Sequence, residues 1–242
     1  MRVADPTAAV SFLTRVPLGR LARHHREDIA ASALFFPLVG AALWTSAFGA
    51  AHLLSDPGIS AAIAVAVLAA LTGALHLDAL ADTADALGGS SKEARLRIMR
   101  DHALGSFGVA ALSLTLLLEA AAISALLAAD QELTSFAAVG AASRAIAPPL
   151  AAALPYARAD EARTAPAAAF TLNGGIGALA VGAAICLVAG TTGLLLLATA
   201  LLAAAVVGTW SRLALGGVTG DSLGAAIQLA ELSCLIVLAA HA

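Results

Sequence analysis

Between residues 76 and 85 the chain reads His76-Leu-Asp78-Ala-Leu-Ala-Asp82-Thr-Ala-Asp85. On a helix, at about 100° per residue, Asp78, Asp82 and Asp85 fall within about 60° of one another. Three carboxylates on one face repel each other unless a cation neutralises them. Their neighbours Leu77, Leu80, Ala81 and Ala84 are too apolar for an ordinary solvated acidic helix end. Hard oxygen ligands, with water and substrate phosphate completing the shell, suit Mg²⁺. His76 lies just ahead of the first of these acids. Gly88-Gly89 then closes the helix, and Ser90-Ser-Lys-Glu93 reads as a capping box opening a short helix over 92–101. That helix carries Arg95, Arg97 and Arg100, which beside a metal suit phosphate, although each is also an ordinary headgroup anchor. Asp101 follows as a candidate further ligand or base, and Gly105 and Gly108 permit close backbone approach.

A second candidate is Gly216-Gly217-Val-Thr219-Gly-Asp221, preceded by Arg212. Glycines before a helix N-terminus can expose N–H groups to an anion, and Thr219 can donate one more hydrogen bond. Three further charges, Glu119, Arg144 and Glu231, fall inside apolar runs. Counted at 1.5 Å per residue from the cytoplasmic ends of their runs, Arg144 and Glu231 both sit about 15 Å deep, and Glu119 roughly 5 Å deeper. Equal depth predicts an Arg144–Glu231 pair, because an unpaired charge there is costly. Exchanging the two should then partly restore what either single reversal destroys.

The elements that must position these groups are membrane spans. Of 242 residues, 60% are hydrophobic and 12% charged, where a soluble domain has about a quarter charged. The net charge of −3 gives no basic surface for nucleic acid. The two cysteines, Cys186 and Cys234, lie in apolar runs and match no metal spacing. Seven stretches approach the roughly 20 apolar residues a spanning helix needs: 29–54, 59–77, 105–129, 133–154, 175–190, 194–215 and 223–240. Residues 1–28 hold Arg2, Arg15, Arg20, Arg23 and Arg26 but no cleavable signal. Lys92, Arg95, Arg97 and Arg100, then Arg158 and Arg163, then Arg212 occupy alternate connections, and the others have no basic residue. This asymmetry predicts an N-terminus and an active region (76–105 and 212–222) on the cytoplasmic side of one integral membrane domain. Phe12 and Leu13 read as an interfacial segment, His24, His25 and His102 as polar loop residues, and His52 and His241 as lying near the external interface.

Taken in order, these pieces resemble the bacterial cobalamin synthases, or adenosylcobinamide-GDP ribazoletransferases. The resemblance runs from Ser11 to Glu231. It rests on Phe12-Leu-Thr-Arg15-Val-Pro17, Phe36-Pro37 with Gly40, and Thr72-Gly73-Ala-Leu-His76-Leu-Asp78. It continues through Leu80-Ala-Asp82-Thr-Ala-Asp85, Arg97-Ile-Met-Arg100-Asp101, Ser143-Arg144, and Gly216-Gly217 with Thr219-Gly-Asp221. Ala79 and Ala86 replace glycines common in the family, and Gln228 stands where an acidic residue is frequent, so no direct ligand role is assigned there. The resemblance implies an all-α, multi-pass, Mg²⁺-dependent transferase of the bacterial cytoplasmic membrane. It would join adenosylcobinamide-GDP to α-ribazole or its 5′-phosphate and release GMP, alone, as a homo-oligomer or with other late corrinoid enzymes. In that reading Asp78, Asp82, Asp85 and Asp221 hold metal, and Asp82 is the base with Asp101 behind it. His76 contacts phosphate or supports a ligand, and Arg97, Arg100, Arg212, Gly216, Gly217 and Thr219 hold nucleotide phosphates. A CDP-alcohol phosphotransferase, a prenyltransferase or a transporter are the rival readings. The order of the motifs and the 216–221 element argue against them.

Overall fold

The computed structural model describes residues 4–21, 25–101 and 103–242. Arg2, Arg23, His24 and His102 lie outside the described residues. Twelve α-helices follow one another there: α1 (Pro6–Leu13), α2 (Arg26–Ala31), α3 (Phe36–Ala51), α4 (Pro57–Thr72), α5 (Leu75–Asp85), α6 (Lys92–Ile98), α7 (Ser106–Ala128), α8 (Leu133–Ala145), α9 (Ala147–Ala153), α10 (Leu172–Val188), α11 (Gly190–Leu215) and α12 (Gly220–Ala239). The one β feature among the described residues is a parallel bridge between Tyr156 and Val218. Five segments are long and apolar enough to cross a membrane: Ala33–Ala51, α7, Leu133–Ala153, α11 and α12. The chain is thus an all-α, multi-pass membrane bundle. The α4–α5 pair adds a sixth segment if counted together, and α10 is apolar but shorter.

The second predicted span, 59–77, is broken. The chain turns by 90° between α4 and α5, with Gly73 (φ 63°) and Ala74 (φ 57°) both left-handed. The N-terminal segment docks at this corner: Arg15 N–H donates to Leu71 O at 2.7 Å, and the Arg15 side chain lies where a Gly73 Cβ would be. His76 and the acids therefore ride on a separate helix crossing the bundle, not on a prolonged span. The first span begins at Ala33 instead of 29, because α2 ends at Ser32, whose hydroxyl donates to Asp5 O and Asp28 O. The fourth is divided at Ile146 into α8 and α9, because Pro148 and Pro149 lack the amide donors that would continue the helical hydrogen bonds. Phe12 and Leu13 pack onto the protein itself. Leu13 is buried and Phe12 stacks on Phe36 at 5.8 Å.

In the interior, α3 crosses α8 at Gly40 and Gly140, and a Cβ on either would strike the other's carbonyl oxygen. One turn further along α8, Arg144 is 1% exposed. Its guanidinium pairs with Glu231 of α12 as expected, and donates to Ser143 Oγ at 3.0 Å and His76 Nδ1 at 3.4 Å. Trp44 of α3 adds a second donor to Glu231, and Gln228 Nε2 donates to Glu119 at 2.6 Å. Arginine has no acceptor, so His76 Nδ1 must accept and the neutral ring carries its proton on Nε2.

Removing the acid from this cluster leaves the guanidinium stranded. Glu231→Ala should lower stability by about 3–5 kcal/mol, measured as earlier thermal unfolding of the detergent-solubilised protein, with Glu231→Gln milder. Exchanging Arg144 and Glu231 should restore little, because the Trp44 N–H would then point at a guanidinium. Rescue by the exchange appearing only with Trp44→Phe added would support that three-way arrangement.

Candidate active site

Helix α5 is fixed across the bundle by three contacts. His76, near its start, meets Arg144. In its middle, Ala79 packs against Gly224 of α12, where a Cβ would collide with the alanine methyl. At its end, Asp85 accepts from Gly105 N–H at 2.7 Å and Gly108 N–H at 2.8 Å, capping α7 from another helix. The unpaired amides and positive end of α7 favour a carboxylate there, and side chains on either glycine would occupy the space Asp85 fills. This corrects the three-acid reading: Asp85 is turned to α7, whereas Asp78 and Asp82 face a cleft.

The cleft has a volume of about 520 Å³, with Asp78, Asp82, Asp101 and Asp221 in its walls beside Arg100 and Arg158. It lies between α5, the connections after α6 and α9, and the start of α12. Arg158 is the residue the sequence concealed, counted only as one loop charge. It is buried, donates to Asp221 at 2.7 Å and Met99 O at 3.5 Å, and lies 3.5 Å from Glu161. Arg100 is exposed and bound to Asp160 at 2.7 Å and Glu161 at 3.0 Å. Both cations are thus already matched by other acids, while Asp78 and Asp82 have no side-chain hydrogen bond or ion pair among the described residues. Asp101 sits at the rim and accepts from Ala103 N–H at 3.0 Å. Tyr156 donates toward Glu161 at 3.4 Å; burial, then the Glu161 charge, raise its hydroxyl above the usual range, so it remains a donor.

No three acidic, histidine or cysteine groups among the described residues stand close enough to form a ready-made metal nest. The donor chemistry still fits Mg²⁺, which is usually held by one or two carboxylates with waters and substrate phosphate. Asp78 and Asp82, with Asp221 across the cleft, supply such oxygens.

The other phosphate-binding candidates are differently employed. Arg97 and Arg212 are exposed and do not line the cleft. Gly216 turns the chain at the end of α11 with φ 78°, beside the Lys92 ammonium. Gly217 has no room for a side chain because the Pro155 carbonyl lies against it, and Val218 pairs with the 155–157 segment (Val218 N–H to Pro155 O 2.9 Å, Ala157 N–H to Val218 O 2.8 Å). Thr219 is buried and caps α12, accepting from Ser222 N–H at 3.1 Å. These glycines and Thr219 shape the turn that presents Asp221. The cap of α6 is Ser91, one residue later than expected.

Beside the cleft lies a second cavity of about 220 Å³, sharing Asp78 and Asp221 with it and walled largely by apolar side chains, Phe12, Phe36 and Phe170 among them.

A family model described as cobalamin-5-phosphate synthase matches residues 5–239. The chain belongs to that family. Curated relatives named adenosylcobinamide-GDP ribazoletransferase include one from Azorhizobium caulinodans, 38% identical over 97% of this chain and 94% of the relative. Others are from Pseudomonas paraeruginosa, 37% identical over 96% of each chain, and Pseudomonas aeruginosa, 36% identical over 96% of each. No solved structure matches. Membership in the cobalamin-5-phosphate synthase family sets aside the CDP-alcohol phosphotransferase, prenyltransferase and transporter readings.

Two acids one helical turn apart should therefore respond oppositely. Asp85→Ala removes a cap and should destabilise by about 0.5–2 kcal/mol. Asp82→Asn relieves repulsion in the cleft and should melt no lower than the unsubstituted protein. Paired thermal melts in detergent check this, and equal losses would contradict the division of roles.

Proposed function

We propose that this chain is an adenosylcobinamide-GDP ribazoletransferase whose cleft opens on the cytoplasmic side of a bacterial inner membrane. The observation that carries the reading is the pair of unmatched carboxylates, Asp78 and Asp82, facing Asp221 and Arg158 across one cleft. The family and the names of its relatives supply the substrates. The side of the membrane is supported by the basic residues, twelve of thirteen of which fall in connections on one side.

The reaction is a displacement at phosphorus. A ribose hydroxyl of α-ribazole, or of its 5′-phosphate, attacks the phosphorus that carries the cobinamide arm. The new P–O bond forms as the bond to the GMP oxygen breaks, and GMP leaves with that electron pair. Asp82 takes the hydroxyl proton. Positioning and charge compensation supply most of the acceleration in such transfers. Arg158, fixed by Asp221, Met99 and Glu161, presents a rigid cation to the diphosphate. Mg²⁺ held by Asp78 and Asp82 would neutralise the diphosphate and the phosphate of the departing GMP. Asp221 orients Arg158 and completes the acidic wall.

Vesicles containing the protein, given adenosylcobinamide-GDP and α-ribazole phosphate, should form GMP and a corrin product together, and only with Mg²⁺. Asp82→Asn should reduce turnover at least about 100-fold while the protein stays folded and inserted. Chromatography of both products reads the result; no product from folded protein would defeat the assignment.

A further inference from the structure

The cavity beside the cleft is not absorbed by phosphoryl transfer. Its volume is about 220 Å³, below the roughly 300–1,000 Å³ that holds a drug-sized ligand, so it suits one small ring system and excludes a macrocycle. Its wall is aromatic. Phe36 is flanked by Phe12, stacked at 5.8 Å, and by Phe170, edge-on at 5.7 Å, with Tyr156, Leu223 and Ile227 completing much of the surface. Phe36, Leu223 and Ile227 are buried, so that part of the wall belongs to the packed interior, while Phe12 and Phe170 are half-buried. Asp78 and Asp221 stand at its junction with the cleft, so a ligand seated in the cavity reaches the carboxylates without leaving it. His76 also lines the cavity, and with Nδ1 occupied by Arg144 its Nε2–H is the donor left for a ligand.

We infer that this chamber is the subsite for the flat, alkylated bicyclic base of the ribazole nucleophile, and that it sets which bases are accepted. The inference rests on the transferase reading above. Seating the base among Phe12, Phe36 and Phe170 leaves the attached ribose at the mouth, beside Asp78 and within the cleft that Asp82 lines. His76 Nε2–H is available to the unsubstituted ring nitrogen of the base, an acceptor that a purely hydrocarbon ring lacks. Aromatic stacking and apolar burial hold the base, and the missing volume rejects larger ones.

The test is equilibrium binding to the full chain in vesicles, without the second substrate, followed by turnover. Ala167 lines the chamber from the 166–169 turn, away from the long helices. Ala167→Phe should weaken α-ribazole binding about tenfold or more. It should leave unchanged the binding of adenosylcobinamide-GDP and of a riboside bearing a single imidazole ring. Phe170→Leu, which widens the chamber, should shift preference toward a bulkier base riboside. Unaltered α-ribazole binding in Ala167→Phe, or equal weakening for both ribosides, overturns the inference, as does a chamber that retains phospholipid and ignores ribosides. Wild-type protein that binds α-ribazole selectively but yields no GMP would defeat the transferase reading while leaving the subsite standing. Normal turnover with an insensitive Ala167→Phe would defeat the subsite alone.

Discussion

One buried guanidinium constrains most of this molecule. Arg144 is withdrawn almost entirely from the surface, and an uncompensated charge at that depth is expensive, so several helices must bring it partners. Glu231 comes from α12, His76 from α5, Ser143 from its own helix, and Trp44 of α3 reaches the same carboxylate. The close crossing of α3 and α8 at Gly40 and Gly140 brings Trp44 that near. Four helices are thus in register before any apolar side chain is counted. The packing that follows, with Trp44, Phe136 and Val139 in the largest buried cluster, fills space that the polar group has already set out.

The same arrangement explains how α5 can cross the bundle. A short acidic helix has little reason to lie inside a membrane protein, and its few leucines do not hold it there alone. Its ends are tied by charge, to Arg144 at His76 and to the amides of α7 at Asp85, while Ala79 meets Gly224 in between. What remains free is the edge carrying Asp78 and Asp82. A carboxylate left without a partner, in a protein that supplies one to each of its buried charges Glu119, Arg144, Arg158 and Glu231, is prepared for something that arrives from outside.

The sequence makes the bundle and the acidic helix legible because both depend on local patterns, apolar length and three acids at helical spacing. The Arg144–Glu231 pair is readable too, since depth along two spans follows from counting residues. The division of labour among the acids is not. Nothing in the spacing of Asp78, Asp82 and Asp85 distinguishes the one that meets glycine amides twenty residues later from the two that face solvent. The break at Gly73 escapes for the same reason. A glycine in an apolar run does not announce a corner until Arg15, far away in the chain, packs into the space it vacates. Arg158 lies in a loop whose composition resembles any positively charged connection, and only folding buries it against Asp221.

His76, Arg144 and Glu231, with Glu119 beyond, stand together around a cavity of about 20 Å³ inside the bundle. Such a ladder of ionisable groups, with room for little more than one water, is the architecture of a proton wire. Its middle rung is a fixed positive charge that repels a travelling proton, as cationic constrictions do in water-selective pores.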